Sequence, residues 1–141
     1  MYPVVLWVHF VGLSIWLGTA LTVDLRLMGV GARRQTAAEL SNGLSGWNWI
    51  GFGVAFLGGF LLLSAEATTY VTNAGFRLKL AVLTPLAVIW HVMVRKRTGA
   101  WTQAAHTSAI GKWAGMIEFL LWISVVAASV GFLLTNAVTH P

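Results

Sequence analysis

The chain has 141 residues, 57% of them hydrophobic and only 9% charged, with a mean hydropathy of +0.77, whereas a soluble domain is about a quarter charged. Its formal net charge of +5 comes from cations at the ends of apolar segments, where they act as topology signals and not as a nucleic-acid surface. Cysteine is absent, which excludes disulfides, thiolate metal sites and cysteine nucleophiles.

Taken in chain order, four apolar stretches are each long enough for a spanning helix, which needs about 20 residues. The first covers residues 2–26 and extends through Asp24-Leu25-Arg26 toward the breaker Gly29-Val30-Gly31. Its start, from Met1 to Phe10, has no Lys or Arg and so lacks the charged leader of a signal peptide. A polar link holds Arg33, Arg34, Gln35, Glu39, Ser41 and Asn42. The second span covers 49–65, with Trp47 and Trp49 as interfacial aromatics, and a short loop holds Glu66, Thr68, Thr69, Tyr70 and Asn73. The third covers 76–94 and stops at Arg95-Lys96-Arg97; the fourth covers 115–134, before a tail ending in His140 and Pro141.

The short links make consecutive helices antiparallel neighbours, so the expected fold is all-α: a single transmembrane domain over residues 1–141, an integral membrane four-helix up-down bundle. Small residues at Gly51, Ala55, Gly58 and Gly59, and at Ser124, Ala127, Ala128 and Gly131, suit close helix packing. Arg26, Arg33, Arg34, Arg95, Lys96, Arg97 and Lys112 fall in the first and third links, against Arg77 and Lys79 in the second. Positive residues favour the cytoplasmic side, so both termini are expected outside, in a bacterial inner membrane.

Ionisable groups inside a span are costly and therefore functional candidates. His9 shares a helical face with Gly12, Trp16, Thr19, Val23 and Arg26, a face that resembles the wall of a cofactor slot. The alternative is a histidine hydrogen-bonded within the bundle. His91 shares a face with Thr84 and follows Pro85, which deprives the Ala81 carbonyl of its usual donor. A neutral imidazole there suits the iron of haem b; the alternative is an interfacial residue one turn from Arg95. With each helix centred, the two histidines lie about five residues to either side of the midplane, roughly 15 Å apart in depth. One shared haem is therefore harder to build than two haems or one histidine ligand. Arg77 and Lys79 on one side, and Arg26 and Arg95 on the other, are candidates for haem propionates or simple interface anchors. Asp24 and Glu118 form an ionic network with the nearby cations, either pinning the helix ends or passing protons to a quinone or porphyrin. His106 falls in a link, and no nucleophile stands near a base at a recognisable spacing.

The run His9-Phe-Val-Gly-Leu-Ser-Ile-Trp16-Leu-Gly18, with Phe76-Arg77-Leu78-Lys79 followed by His91, resembles small four-helix bacterial membrane proteins. That group includes the copper-resistance D family and HemJ-type protoporphyrinogen oxidases. Asp24-Leu25-Arg26-Leu27 looks closer still to an uncharacterised branch with an aspartate-leucine-arginine-leucine signature. Arg26 stands one position off the HemJ-like spacing, and the tyrosine-rich stretch before it is missing. The resemblance implies haem b, one or two per chain, more readily than any one reaction. The expectation is a haem b protein of electron transfer, a cytochrome b-like membrane oxidoreductase acting with a quinone or a partner complex and open to homo-oligomers. The alternatives are a HemJ-like oxidase and a cofactor-free accessory subunit. Copper transport is disfavoured, because Cu(I) prefers soft ligands and methionine is sparse.

Overall fold

The computed structural model describes residues 2–31, 34–103 and 106–139, with the backbone alone for Tyr2, Gln103, His106 and 132–139. Met1, Arg33, His140 and Pro141 lie outside the described residues. Among the described residues, six α-helices occur in the order α1 (Tyr2–Leu27), α2 (Ala37–Ala65), α3 (Ala67–Thr72), α4 (Ala74–Leu78), α5 (Thr84–Trp101) and α6 (Ala109–Thr139). A π-helical turn, Lys79–Leu83, fuses α4 to α5, so that Ala74–Trp101 is one span among four long, apolar helices. The protein is an all-α, multi-pass membrane bundle. Its burial pattern agrees, since Asp24, Asn48, His91 and Glu118 are buried while Val4, Trp7, Phe56, Leu57 and Ile89 are exposed. In water that distribution would be unstable, whereas a bilayer solvates the apolar outside and forces polar groups inward.

α1 ends where glycine permits it. Gly29 takes φ +91 and Gly31 φ +69. The amide of Val30 donates to Leu25 O at 2.8 Å and that of Gly29 to Arg26 O at 3.1 Å, a Schellman arrangement that satisfies the last carbonyls. Arg26 Nε then donates to Gln35 O at 2.7 Å, holding the link closed.

Three helices begin earlier or end later than the hydropathy of the chain suggests. α2 begins at Ala37, about three turns before Trp49. Thr36 Oγ1 accepts from the Glu39 amide at 3.1 Å, and Glu39 Oε2 accepts from the Thr36 amide at 2.8 Å. This reciprocal capping box places Glu39, Ser41 and Asn42 on the helix and not in a polar link. α5 continues through Arg95-Lys96-Arg97 to Trp101, because a charge run ends an apolar segment without ending a helix. α6 begins at Ala109, its first turn capped by Ser108 Oγ, which accepts from the Gly111 amide at 3.2 Å. Between α5 and α6 a two-residue antiparallel ladder pairs Thr102 with Thr107 and Gln103 with His106. The stretch expected as a loop after α2 is largely the short helix α3, and Asn73 caps α4 through Oδ1 to the Phe76 amide at 3.0 Å.

α1 and α2 meet backbone to backbone. A Cβ on Gly12 would stand 2.5 Å from Ala55 N, and one on Gly51 would stand 2.6 Å from Trp16 N. Gly12 therefore lets a neighbouring helix in, and at the level of Gly12 this face of α1 is a helix interface. Gly115 does the same for α6, where a Cβ would meet Leu27 Cβ at 2.9 Å. On α6, by contrast, Ser124 and Ala127 are exposed. Two apolar clusters fill the centre: Trp16, Ala20, Ala55, Ala87 and Trp122 in one, and Val23, Leu27, Ala37, Val94 and Ala114 in the other. Residues 74–83 lie alongside α6 but contribute no buried side chain, whereas the second half of the third span buries Ala87, His91, Val94 and Thr98.

Candidate functional site

The buried polar groups converge on one centre that draws on all four spans. His91, on α5, is 2% exposed, and its two ring nitrogens are both engaged. Nδ1 meets Glu118 Oε1 of α6 in a very short contact. Nε2 meets Asn48 Oδ1 of α2 at 2.9 Å. The amide nitrogen of Asn48 donates to Trp16 O at 3.2 Å and Thr19 Oγ1 at 2.9 Å, both on α1, which orients the side-chain oxygen toward His91. Nε2 therefore carries a proton. Trp122 Nε1 lies 3.4 Å from Glu118 Oε1, and the rings of Trp16 and Trp122 pack edge-on to His91 at centroid distances of 6.4 and 6.1 Å.

Asp24 faces Glu118 from α1 at hydrogen-bonding reach, and Arg95 of α5 interacts electrostatically with both carboxyls. Arg95 Nη1 donates to Ser41 Oγ of α2 at 2.9 Å. Among the described residues, no donor meets Asp24 Oδ2 or Glu118 Oε2 and no acceptor meets Arg95 Nη2 or Trp16 Nε1, although all four atoms are buried. Such atoms are rare in native proteins and call for a proton, a water or a ligand. Asp24 and Glu118 thus share one network, as their sequence positions suggest, and His91 belongs to it.

His9 stands apart. Its Nδ1 donates to Ala55 O at 2.7 Å, and its ring lies against Gly59, where a Cβ would come within 3.0 Å of Cε1. The bond to the carbonyl fixes the tautomer and leaves the Nε2 lone pair with no hydrogen bond among the described residues. On α2 the partner of His9, Ala55, lies seven residues from Asn48, the partner of His91, or about 10 Å along the helix. The two histidines thus occupy different depths and different networks. Trp16, placed beside His9 by its helical face, packs instead at the level of His91.

Of the basic candidates, Lys79 is within electrostatic reach of His9 and stacks over the Phe76 ring at 5.8 Å. It opens the π-helical turn, in which the Thr84 amide bonds to Lys79 O. That longer spacing accommodates Pro85, which brings no amide of its own. Arg77 is exposed, Arg26 is committed to Gln35, and Arg95 belongs to the His91 centre.

Asn48, Ser41 and Trp122 complete the centre and were not evident from the sequence. A polar Asn48 between Trp47 and Trp49 carries the signal, but it falls one residue before the apolar run. Only the extended α2 brings it into the bundle.

For haem, the two histidines differ. His9 has the oriented imidazole and free Nε2 that an axial ligand needs. His91 lacks a free nitrogen and would have to give up Asn48. Among the described residues, no group of three His, Cys, Asp or Glu side chains is arranged to hold a metal ion. Comparison with known proteins finds no matching family model, no similar curated protein and no similar solved structure.

Proposed function

We propose that this protein binds one haem b through His9 and carries electrons within the membrane, acting with a quinone or a redox partner protein. The observation that carries the reading is the Nδ1 bond of His9 to Ala55 O at 2.7 Å, which leaves Nε2 available to iron. Two further features support it. Residues 74–83 bury no side chain, and Lys79 in that stretch, within electrostatic reach of His9, would supply a cation for a propionate. By the distribution of Lys and Arg, His9 belongs to the outer half of an inner-membrane protein with both termini outside. The haem would supply the one-electron chemistry; the protein's part is to orient the imidazole and exclude water.

The His91 centre is assigned to protein architecture and proton handling, so the stoichiometry is one haem per chain. A pyridine haemochrome assay on protein purified from haem-sufficient cells checks this, with one haem per chain expected and none overturning the proposal. A second reading, a cofactor-free accessory subunit of a larger complex, is favoured by the full engagement of both His91 nitrogens. It predicts a colourless protein that copurifies with a stable partner.

A further inference from the structure

Asp24, Glu118 and His91 form a chain with two carboxyl-centred contacts, Asp24 to Glu118 and Glu118 to His91 Nδ1. Completing both contacts takes two protons, one on Asp24 or Glu118 and one on His91 Nδ1. With both present, the charges are a neutral carboxyl, one carboxylate, an imidazolium and the Arg95 guanidinium, a net of one positive. With a single proton on Nδ1 the net charge is zero, but the two carboxylates then face each other without a donor. Hydrogen-bond completeness and electroneutrality therefore ask for different numbers of protons in a buried setting where each failure is costly.

We propose that Asp24 is a proton-loading site, taking up and releasing one proton between these two states. In the loaded state the Asp24 O–H donates to Glu118, and Arg95 Nη2 is left without an acceptor, as observed. On release, the O–H bond breaks, its electron pair stays on Asp24, and the proton leaves to water at the end of the bundle where Arg95 lies. The carboxylate then has Arg95 Nη2 as its counter-charge, in place of the proton. Among the described residues, the charged groups that act on Asp24 are Glu118 from α6 and Arg95 from α5; His91 of α5 lies beyond Glu118, and from α2 the uncharged Ser41 and Asn48 bond Arg95 and His91. The proton is placed on Asp24 because Glu118 Oε1 already has two donor groups beside it, His91 Nδ1 and Trp122 Nε1, which favour a carboxylate there. This assignment goes beyond the haem proposal and does not depend on it.

The composition of the chain supplies a direct test, because Asp24 is its one aspartate. Infrared spectra of the full-length protein in lipid, prepared with and without carboxyl-13C aspartate, report Asp24 without any substitution. The expected result is a protonated-carboxyl C=O band that moves with the aspartate label and with D2O, and gives way to a carboxylate band as pH rises. Arg95→Gln should hold that band to higher pH, because the ionised form loses its counter-charge. An aspartate label found only in the carboxylate region at every pH where the protein is folded would overturn the proposal. So would a protonated band that never responds to pH. Neither outcome depends on haem being bound.

Discussion

Asn48 Oδ1 accepts the Nε2–H of His91 at 2.9 Å, joining α2 to α5 through a bond that neither helix's apolar pattern announces. The same Asn48 donates twice to α1, so one amide side chain ties three spans together. Replacing it with leucine leaves the His91 Nε2–H buried without an acceptor and removes both side-chain bonds from α2 to α1. An unpaired buried group costs about 1–3 kcal/mol. Asn48→Leu should therefore lower stability by at least that range in a denaturant titration of the micellar protein, while an exposed polar position such as Asn42 should tolerate the change.

The backbone contact of α1 with α2 predicts a sharp difference among glycines. Gly51→Ala forces a Cβ to within 2.6 Å of Trp16 N, which only a helix shift can relieve. Overpacking of that kind costs about 1–3 kcal/mol. Gly18→Ala meets nothing within 4 Å and should leave the midpoint of unfolding unchanged. Equal effects at the two positions would argue against the interface.

Four apolar runs, the glycine stop after α1 and the placing of Asp24 and Glu118 inside the spans were legible in the sequence. Hydropathy marks where a helix is apolar enough for lipid, and the helix itself obeys capping and propensity. That is why α2 runs back to its capping box at Thr36 and α5 on through Arg95-Lys96-Arg97. Asn48 was hidden by the same distinction. The separation in depth of His9 and His91 was legible from residue counting along the helices. Their difference in hydrogen bonding was not, because it depends on which carbonyl or carboxyl a neighbouring helix presents. The pattern of the face shared by His9, Gly12 and Trp16 does not say what fills the space at Gly12, because glycine makes room equally for a cofactor or a helix backbone. Here it admits Ala55.

Arg95 should be coupled energetically to Asp24. Removing the guanidinium in Arg95→Gln leaves His91, which is paired with Glu118, as the remaining positive charge of the network and takes the counter-charge from an ionised Asp24. The expected loss is about 1–3 kcal/mol, below that for a deeply buried pair because Arg95 is only half-buried. In an Asp24→Asn background the same substitution should cost less. A double-mutant cycle measures the difference, and additive effects would place Arg95 outside the network.

Haem ligation is where the account is most exposed. Reduced-minus-oxidised optical spectra of the wild-type protein, His9→Ala and His91→Gln, each checked for helical content by circular dichroism, test it most directly. The account predicts a Soret band in the wild-type protein that is lost in His9→Ala and kept in His91→Gln. A folded His9→Ala protein that keeps its haem, or a haem-sufficient wild-type protein with no Soret band, would contradict it.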